Sequence, residues 1–293
     1  MESIHQPLLF EDFFNAISLP KLTYHWHTLL LSTLSCYLTI YISRIISPKL
    51  FPKSYNNLHG LKKLNWDIHF VSMIHCLIIV SLSIPLFNEK ELVEDKVFGY
   101  NYYAGNVYSI ACGYFLWDAL ISLYHVKEFG VGFVLHGASC FGVFIFAYRP
   151  FLNYYGAVFL MFEISTPFLN LHWFMDKLGL TGTLFQLING VFLLTSFFCA
   201  RILWGFYMSY HAFTEVSQVI SQVPTFLFVI YGGANIVLNI LNLYWFYKMI
   251  EALMKRFNTG EKKHHYNKQQ LHNSGSSKTA TSKIDSTKVK KLQ

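Results

Sequence analysis

Seven long apolar runs limit what this chain can fold into. Each is close to the roughly 20 residues that a helix needs to cross a bilayer, and only 13% of the 293 residues are charged. The pattern predicts an all-α membrane protein, a bundle or barrel of about seven transmembrane helices. The glycine-rich fourth run is the weakest, because it is short and ends at Arg149-Pro150. The runs lie at about 25–47, 66–87, 102–124, 130–148, 154–173, 183–208 and 223–250.

The distribution of lysine predicts the orientation of the helices. Loop 48–65 carries four lysines and no acidic residue, whereas loop 88–101 carries two lysines and four acidic residues. Loops rich in lysine and arginine stay on the cytosolic side of a membrane. We therefore expect loop 48–65 in the cytosol, a lumenal N-terminus and a cytosolic C-terminus.

The same reasoning divides the chain into three parts. Residues 1–24 form a lumenal segment without the basic start and small-residue cleavage site of a signal peptide, and residues 25–250 form the transmembrane bundle. Residues 251–293 form a basic cytosolic tail whose polar composition is typical of disorder. Of the 23 lysines and arginines, 10 lie in 255–293, so the net charge of +7 belongs to the tail. The tail is either solvated or held against anionic lipid.

The chain ends with two lysines, Lys290 and Lys291, at the third and fourth positions from the carboxyl end. They resemble the dilysine retrieval signal of endoplasmic reticulum membrane proteins, which coat machinery reads on a cytosolic tail. The independent orientation prediction places this tail in the cytosol. We therefore expect a multi-pass protein of the endoplasmic reticulum membrane.

Glu163 lies inside the apolar run 154–173, with Pro167 one turn later. A carboxylate at that depth costs a few kcal/mol unless it faces the protein interior or a wet cavity. Proline lacks the N–H that would bond to the carbonyl of Glu163, which predicts a kink and a free acceptor beside the carboxylate. Glu163 is therefore a candidate functional residue.

Other polar residues within the runs lie on the predicted cytosolic side, which favours a polar cavity that opens towards the cytosol. We assign catalytic or central roles to Glu163, Asp118 and His136 because they are deepest. Residues expected to bind lipid or substrate are His75, His125, Thr166, Asn170, His172 and Asn189.

Two further features have open alternatives. The asparagines at 235, 239 and 242 repeat on one helix face and favour hydrogen bonds between helices over a site role. Arg201 either reaches the interface or pairs with an acid. The five cysteines are scattered and form no CxxC, so we expect no metal site.

Three segments in a fixed order carry a resemblance to a known family. Residues 113–118 read GYFLWD, His136 follows in the next run, and residues 163–170 read EISTPFLN, before Asn189-Gly190 and Arg201. Over about residues 60–250 the chain resembles the TLC-domain family of lipid-related membrane proteins, and most of all its small uncharacterised fungal and vertebrate members. The resemblance implies a helical membrane domain that handles lipid.

The same family includes the ceramide synthases of sphingolipid metabolism, which join an acyl group from acyl-CoA to a sphingoid amine. Their pattern has two adjacent histidines and paired aspartates. Here Leu135 and Gly137 flank His136, and Glu163 and Thr166 stand about where the aspartates are expected. These departures make acyl transfer the weaker implication.

Two functions follow from the resemblance. The first is a protein that binds acyl lipid in the cavity and contributes to membrane lipid homeostasis. The second is an acyl-CoA-dependent N-acyltransferase with His136 as base or acyl acceptor. No cofactor is required, and acyl-CoA is a substrate only in the second. The expected partners are membrane lipid and coat machinery, with no nucleic acid, and a homodimer is left open.

Overall fold

Helices account for all the regular structure in residues 9–255, the part of the chain that the computed structural model describes. A short helix, Glu11–Ala16, and a 3₁₀ turn, Pro20–Tyr24, precede the first long helix. The main helices, numbered along the chain, are α1 (Trp26–Leu50), α2 (Leu61–Asn88), α3 (Tyr102–Tyr124), α4 (Val131–Phe146), α5 (three segments between residues 153 and 177), α6 (Leu184–Gln218) and α7 (Thr225–Lys255).

Five helices, α1, α2, α3, α6 and α7, are long and apolar enough to cross a membrane. Helix α4 has 16 residues, or about 24 Å, which falls short of the roughly 30 Å of bilayer hydrocarbon. Helix α5 covers the fifth apolar run but is broken. The prediction of an all-α membrane protein is confirmed. Seven crossings and the orientation of the termini stay predictions.

The break in α5 falls where Glu163 and Pro167 predict it. The helix runs as Asn153–Leu160, a 3₁₀ segment Met161–Ser165, and Thr166–Lys177, with Pro167 in the first turn of the last segment. The expected free acceptor is wrong, because the N–H of Thr166 donates to the carbonyl of Glu163 in a 3₁₀ bond. The tighter 3₁₀ turn thus gives the Glu163 carbonyl a hydrogen-bond donor, which Pro167 lacks.

Helix α3 packs closely against α1 and α4 through small residues. A Cβ on Gly113 would lie 2.4 Å from the carbonyl oxygen of Leu29 on α1, and Thr33 of α1 donates a hydrogen bond to the Gly113 carbonyl. A Cβ on Gly137 of α4 would lie 2.8 Å from the backbone nitrogen of Ala119. Small residues let the backbones of membrane helices come into contact. In lipid no hydrophobic force drives helices together, so this van der Waals contact stabilises the packing.

A π-helical turn, Phe198–Trp204, interrupts α6. From Asn189 onwards the buried residues are Asn189, Leu193, Phe197, Arg201 and Gly205, so over this stretch the buried face advances by four residues at each step. An α-helix completes a turn in 3.6 residues, so repeated steps of four would rotate this face away from the bundle. The wider π turn takes up the excess and keeps Arg201 inside.

A fully buried acid, Asp67, joins α1 to the start of α2. Its two carboxylate oxygens accept hydrogen bonds from Ser43 at 2.7 Å, Tyr55 at 2.9 Å and Arg44 at 3.0 Å. Asp67, Ser43 and Tyr55 have no exposed surface, whereas the Arg44 side chain is 47% exposed. This Asp67 cluster closes the turn between the two helices.

The compact unit of the fold ends at Leu243, and a second unit begins at Tyr244. In the second unit, Glu251 pairs with Lys248 and Lys255 along the helix surface. The tail beyond residue 255, with Lys290 and Lys291, lies outside the described residues, as do residues 1–8. The predictions for the tail and its retrieval signal therefore stay predictions.

Candidate functional site

A cavity of about 150 Å³ lies among helices α3 to α7 of the first unit. Its polar lining includes His136 of α4, Glu163 of α5, Arg201 of α6 and two asparagines of α7, Asn239 and Asn242. The remaining lining is mostly aromatic and aliphatic. The cavity therefore has a polar region enclosed by four helices and a longer apolar region.

Glu163 and Arg201 form a buried ion pair at the polar region. The Glu163 Oε1 and Arg201 Nη2 atoms lie 3.5 Å apart, and each residue is 7% exposed. The 3₁₀ turn of α5 carries the carboxylate and the π turn of α6 carries the guanidinium. Two departures from regular α-helix thus meet at one charge pair, and π turns in helices are frequent at functional sites.

Neutral acceptors complete the surroundings of the Arg201 guanidinium. Its Nε donates to the Phe162 carbonyl and the Ser165 hydroxyl, both at 3.1 Å, and its Nη2 donates to the Thr166 hydroxyl at 3.2 Å. Its Nη1 donates to Asn242 Oδ1 at 3.4 Å. Each of the three nitrogens therefore has a protein acceptor, which is what a buried cation requires.

The asparagines of α7 bond to α6, as their spacing predicts. Ser209 Oγ accepts from Asn235 at 2.8 Å and from Asn239 at 3.3 Å, and Asn239 also donates to Asn235 at 2.9 Å. Two buried atoms in this row, Asn239 Oδ1 and Asn242 Nδ2, have no hydrogen-bond partner in the described part of the chain. The row both joins the helices and offers hydrogen-bonding capacity to the cavity.

The lining of the cavity extends along α6 from Arg201 to Val216, and it is apolar at the Val216 end. Fifteen residues of α-helix rise about 22 Å, which exceeds the roughly 15 Å of hydrocarbon in one leaflet. Phe151 and Tyr231 close this region, and the Tyr231 hydroxyl donates to backbone carbonyls of Val143 and Phe151. The length and the apolar lining of this part of the cavity suit a hydrocarbon group.

Three of the polar residues expected near the cytosolic end of the cavity do not line it. Asn170, His172 and Asn189 were to line a cavity that opens towards their end of the helices. The lining instead reaches Leu152 and Val216, near the connections that precede α5 and follow α6. Asn170 and Asn189 are instead used in hydrogen bonds between helices.

The structure brings some of the predicted site residues together. His136 and Glu163 line the cavity, and Thr166 contacts Arg201. The Cys140 sulfur lies 3.9 Å from His136 Nδ1, and the Phe115 ring meets the imidazole edge-on. These residues form the part of the prediction that coincides with the cavity.

The other predicted site residues lie outside the lining, each in contact with a neighbouring segment. Asn170 bonds to His69 and Ser72 of α2, and Asn189 donates to the Phe168 carbonyl. Asp118 packs against Gly137 and His172 against Gly190, His75 stacks on Tyr114 with ring centroids 3.7 Å apart, and His125 lies 3.9 Å from Glu128.

Arg201, Asn239 and Asn242 line the cavity but were not among the predicted site residues. The pairing of Arg201 with an acid was one of two alternatives, and Asn242 was assigned to contacts between helices. A basic residue in the same set of runs as a deep acid was the available signal for the pair. Asn242 carried no signal beyond the helix face that it shares with Asn235 and Asn239.

Within residues 9–255, no group of three histidine, cysteine, aspartate or glutamate side chains is arranged to hold a metal ion. The cavity instead combines a buried charge pair, free amide atoms and an apolar region. Together with the five long apolar helices, these features define a helical membrane protein with an internal pocket.

The chain belongs to the TLC-domain family, whose sequence profile matches residues 65–251. It is 40% identical to an uncharacterized TLC domain-containing protein of Schizosaccharomyces pombe, over 88% of this chain and 89% of the relative. It is 30% identical to topoisomerase I damage affected protein 4 of Saccharomyces cerevisiae, over 73% of this chain and 78% of the relative. It is 29% identical to human TLC domain-containing protein 4, over 73% of this chain and 83% of the relative. The resemblance inferred from the sequence is confirmed.

Proposed function

We propose that the protein binds an acyl lipid in this cavity and contributes to the lipid homeostasis of the endoplasmic reticulum membrane. The observation that carries the proposal is the union of a mostly apolar cavity lining, longer than one leaflet along α6, with a buried Glu163–Arg201 pair at its polar region. Pockets that bind small molecules are mostly apolar, with a few polar groups that fix orientation. An acyl lipid has the same division into chain and head.

Two adjacent glycines of α7 provide a matched test. Gly232 lines the cavity, whereas Gly233 is exposed and outside the lining. A Cβ at either position meets no atom within 4 Å, and neither glycine has a positive φ. Leucine at either position is therefore compatible with the helix and gains similar helix propensity. Only Gly232→Leu adds bulk to the cavity.

The experiment is photocapture of a palmitoyl lipid with a diazirine in its chain by the purified full-length protein in detergent. We expect Gly232→Leu to lower capture on cavity-lining peptides by roughly tenfold, while Gly233→Leu stays within about twofold of wild type. Mass spectrometry of the labelled peptides separates the cavity from the outer, lipid-facing surface. Equal capture by both variants and the wild type would remove the cavity as the binding site.

The location of the protein has its own tests. Changing Lys290 and Lys291 together to serine should let protein reach later secretory compartments without altering its folding. The chain has no N-x-S/T sequon, so a glycosylation acceptor engineered into 88–101 should be modified and one in the tail should not. Modification in the tail would overturn the orientation and, with it, the retrieval signal.

An N-acyltransferase is the second candidate, since the imidazole of His136 and the carboxylate of Glu163 line one cavity. A histidine can act as base or acyl acceptor when its surroundings orient it. The test is incubation of the purified protein with labelled acyl-CoA and a panel of amines. Transfer that His136→Ala abolishes would establish the enzyme, whereas photocapture without transfer favours lipid binding alone.

A further inference from the structure

The charges at the polar region of the cavity already balance. Glu163 is the acidic residue and Arg201 the basic residue among the described residues that line it, and they form an ion pair at 3.5 Å. All three guanidinium nitrogens of Arg201 donate to protein acceptors. An anionic head group would add a second negative charge beside Glu163, and a cationic one would compete with Arg201 for it. Buried charges without a partner are unfavourable.

Asn242 lines the cavity and carries a buried hydrogen-bond donor without a partner among the described residues. Its orientation follows from Arg201, because a guanidinium only donates, so the atom facing Nη1 must be the amide oxygen, Oδ1. The amide nitrogen, Nδ2, is then the atom left without a partner among the described residues. Asn242 is 2% exposed and lines the cavity. A buried donor of this kind needs an acceptor.

Asn239 presents the opposite capacity one turn away. Its amide nitrogen donates to Ser209 and to Asn235, which leaves its oxygen, Oδ1, buried and without a partner in the described chain. Residues three apart in a helix lie on the same face. The wall of the cavity therefore carries an unpartnered donor and an unpartnered acceptor on one helix face, next to a charge pair that sums to zero.

We propose that the bound lipid has an uncharged head group with a carbonyl that accepts from Asn242 and a hydroxyl or amide N–H that donates to Asn239. This inference rests on the proposed function and names its class of ligand: a single-chain lipid with an ester or amide carbonyl and a neighbouring donor. A free fatty acid at neutral pH is a poor ligand, because its carboxylate meets Glu163. A methyl ester has the carbonyl but no donor for Asn239.

Three photoactivatable probes with the same palmitoyl chain test the proposal: a monoglyceride, a methyl ester and a fatty acid. For the full-length wild type in detergent at neutral pH, we expect monoglyceride capture on cavity-lining peptides to exceed fatty-acid capture by roughly tenfold, with the methyl ester between them. This comparison requires no variant, so a folding defect cannot obscure it. All three probes should lose cavity capture in Gly232→Leu.

Two variants assign the contacts. Asn242→Asp keeps an oxygen towards Arg201 but replaces the donor, so monoglyceride capture should fall by roughly tenfold. Asn239→Leu removes the acceptor, so the monoglyceride should lose its advantage over the methyl ester. Gly233→Leu is the control for both.

The possible results are distinct. Fatty-acid capture equal to or above monoglyceride capture, still lost in Gly232→Leu, would overturn the uncharged head group and leave the proposed function standing. Capture of all probes that is insensitive to Gly232→Leu would overturn the proposed function itself. An unchanged order of probes in both asparagine variants would overturn the assigned contacts.

Discussion

Two buried acids in this protein have different surroundings. Asp67 accepts three hydrogen bonds at 2.7 to 3.0 Å within a turn between α1 and α2, and it does not line the cavity. Glu163 meets Arg201 at 3.5 Å on the wall of the cavity, where amide atoms of Asn239 and Asn242 have no partner. A saturated cluster stabilises a fold, whereas a cluster with unused capacity beside a cavity is suited to a ligand.

Removing the charge of Asp67 should have the largest effect on stability. In Asp67→Asn one carboxylate oxygen becomes an amide donor that faces Arg44 or the buried hydroxyls of Ser43 and Tyr55. We expect a loss of about 2–4 kcal/mol, because buried donors left unpaired cost about 1–3 kcal/mol each. Folded protein measured by size-exclusion chromatography should drop sharply, while lipid capture per folded molecule stays unchanged.

Glu163→Gln is the matched change in the cavity and should separate stability from binding. Arg201 keeps its neutral acceptors at Phe162, Ser165, Thr166 and Asn242, so we expect a stability loss of about 1–2 kcal/mol. The cavity gains a net positive charge, so fatty-acid capture should rise and the advantage of the monoglyceride over the fatty acid should shrink.

A different result would reverse the comparison between the two acids. If Glu163→Gln lost as much folded protein as Asp67→Asn, and Arg201→Gln in the same chain restored it, the pair would be structural. Measuring abundance and capture together in the single and double variants distinguishes these cases.

Single neutral groups should give smaller, parallel changes. Ser43→Ala removes one donor to Asp67, and Thr166→Val removes one acceptor from Arg201. Each should cost about 0.5–1.5 kcal/mol. Thermal unfolding in detergent measures both, and photocapture should change in Thr166→Val alone. A change of capture in Ser43→Ala would connect the Asp67 cluster to the cavity.

The smallest expected effect is an alkaline loss of stability at the Asp67 cluster. Burial, with the hydrogen bond to Asp67 and its charge, raises the pKa of Tyr55 well above the ordinary value of 10.0. The unfolded chain then releases the proton first as the pH rises, so the contribution is complete below about pH 10 and is lost above it. In Tyr55→Phe the melting temperature should decline less steeply between about pH 9 and about pH 11, the range that brackets the ordinary pKa of a tyrosine. Equal slopes would remove this contribution.

The sequence predicted the helices better than the contacts between them. Apolar runs identify membrane helices because lipid requires every backbone group to be satisfied within the segment, and Pro167 located the break in α5. Glu163 and Arg201 lie on different helices and are 38 positions apart in the sequence. The depth of a residue along a helix can be counted from the sequence. Which other helix its side chain faces is set by packing.

Asp67 is a second residue whose contacts the sequence did not predict. It lies at the start of the second apolar run, where an acid is ordinary for a membrane boundary, and it received no role from the sequence. Its burial follows from the hydroxyl of Tyr55 in the preceding turn and from Ser43 on α1. The sequence likewise could not predict which polar residues line the cavity, because that depends on which of them form hydrogen bonds between helices.

The π turn of α6 carries a residue of the polar region of the cavity, whereas the end of α6 lines the apolar region. Arg201, within the turn, contacts the charged and amide groups, and Ser209 after it accepts hydrogen bonds from the asparagines of α7, whereas Ala212, Phe213 and Val216 form the wall beside the apolar region. Under the proposed function, mutations from Ala212 to Val216 would therefore change the preferred chain length while head-group selection is retained, and the reverse would hold for mutations at Arg201. In a lineage of related proteins, the two preferences are free to diverge independently.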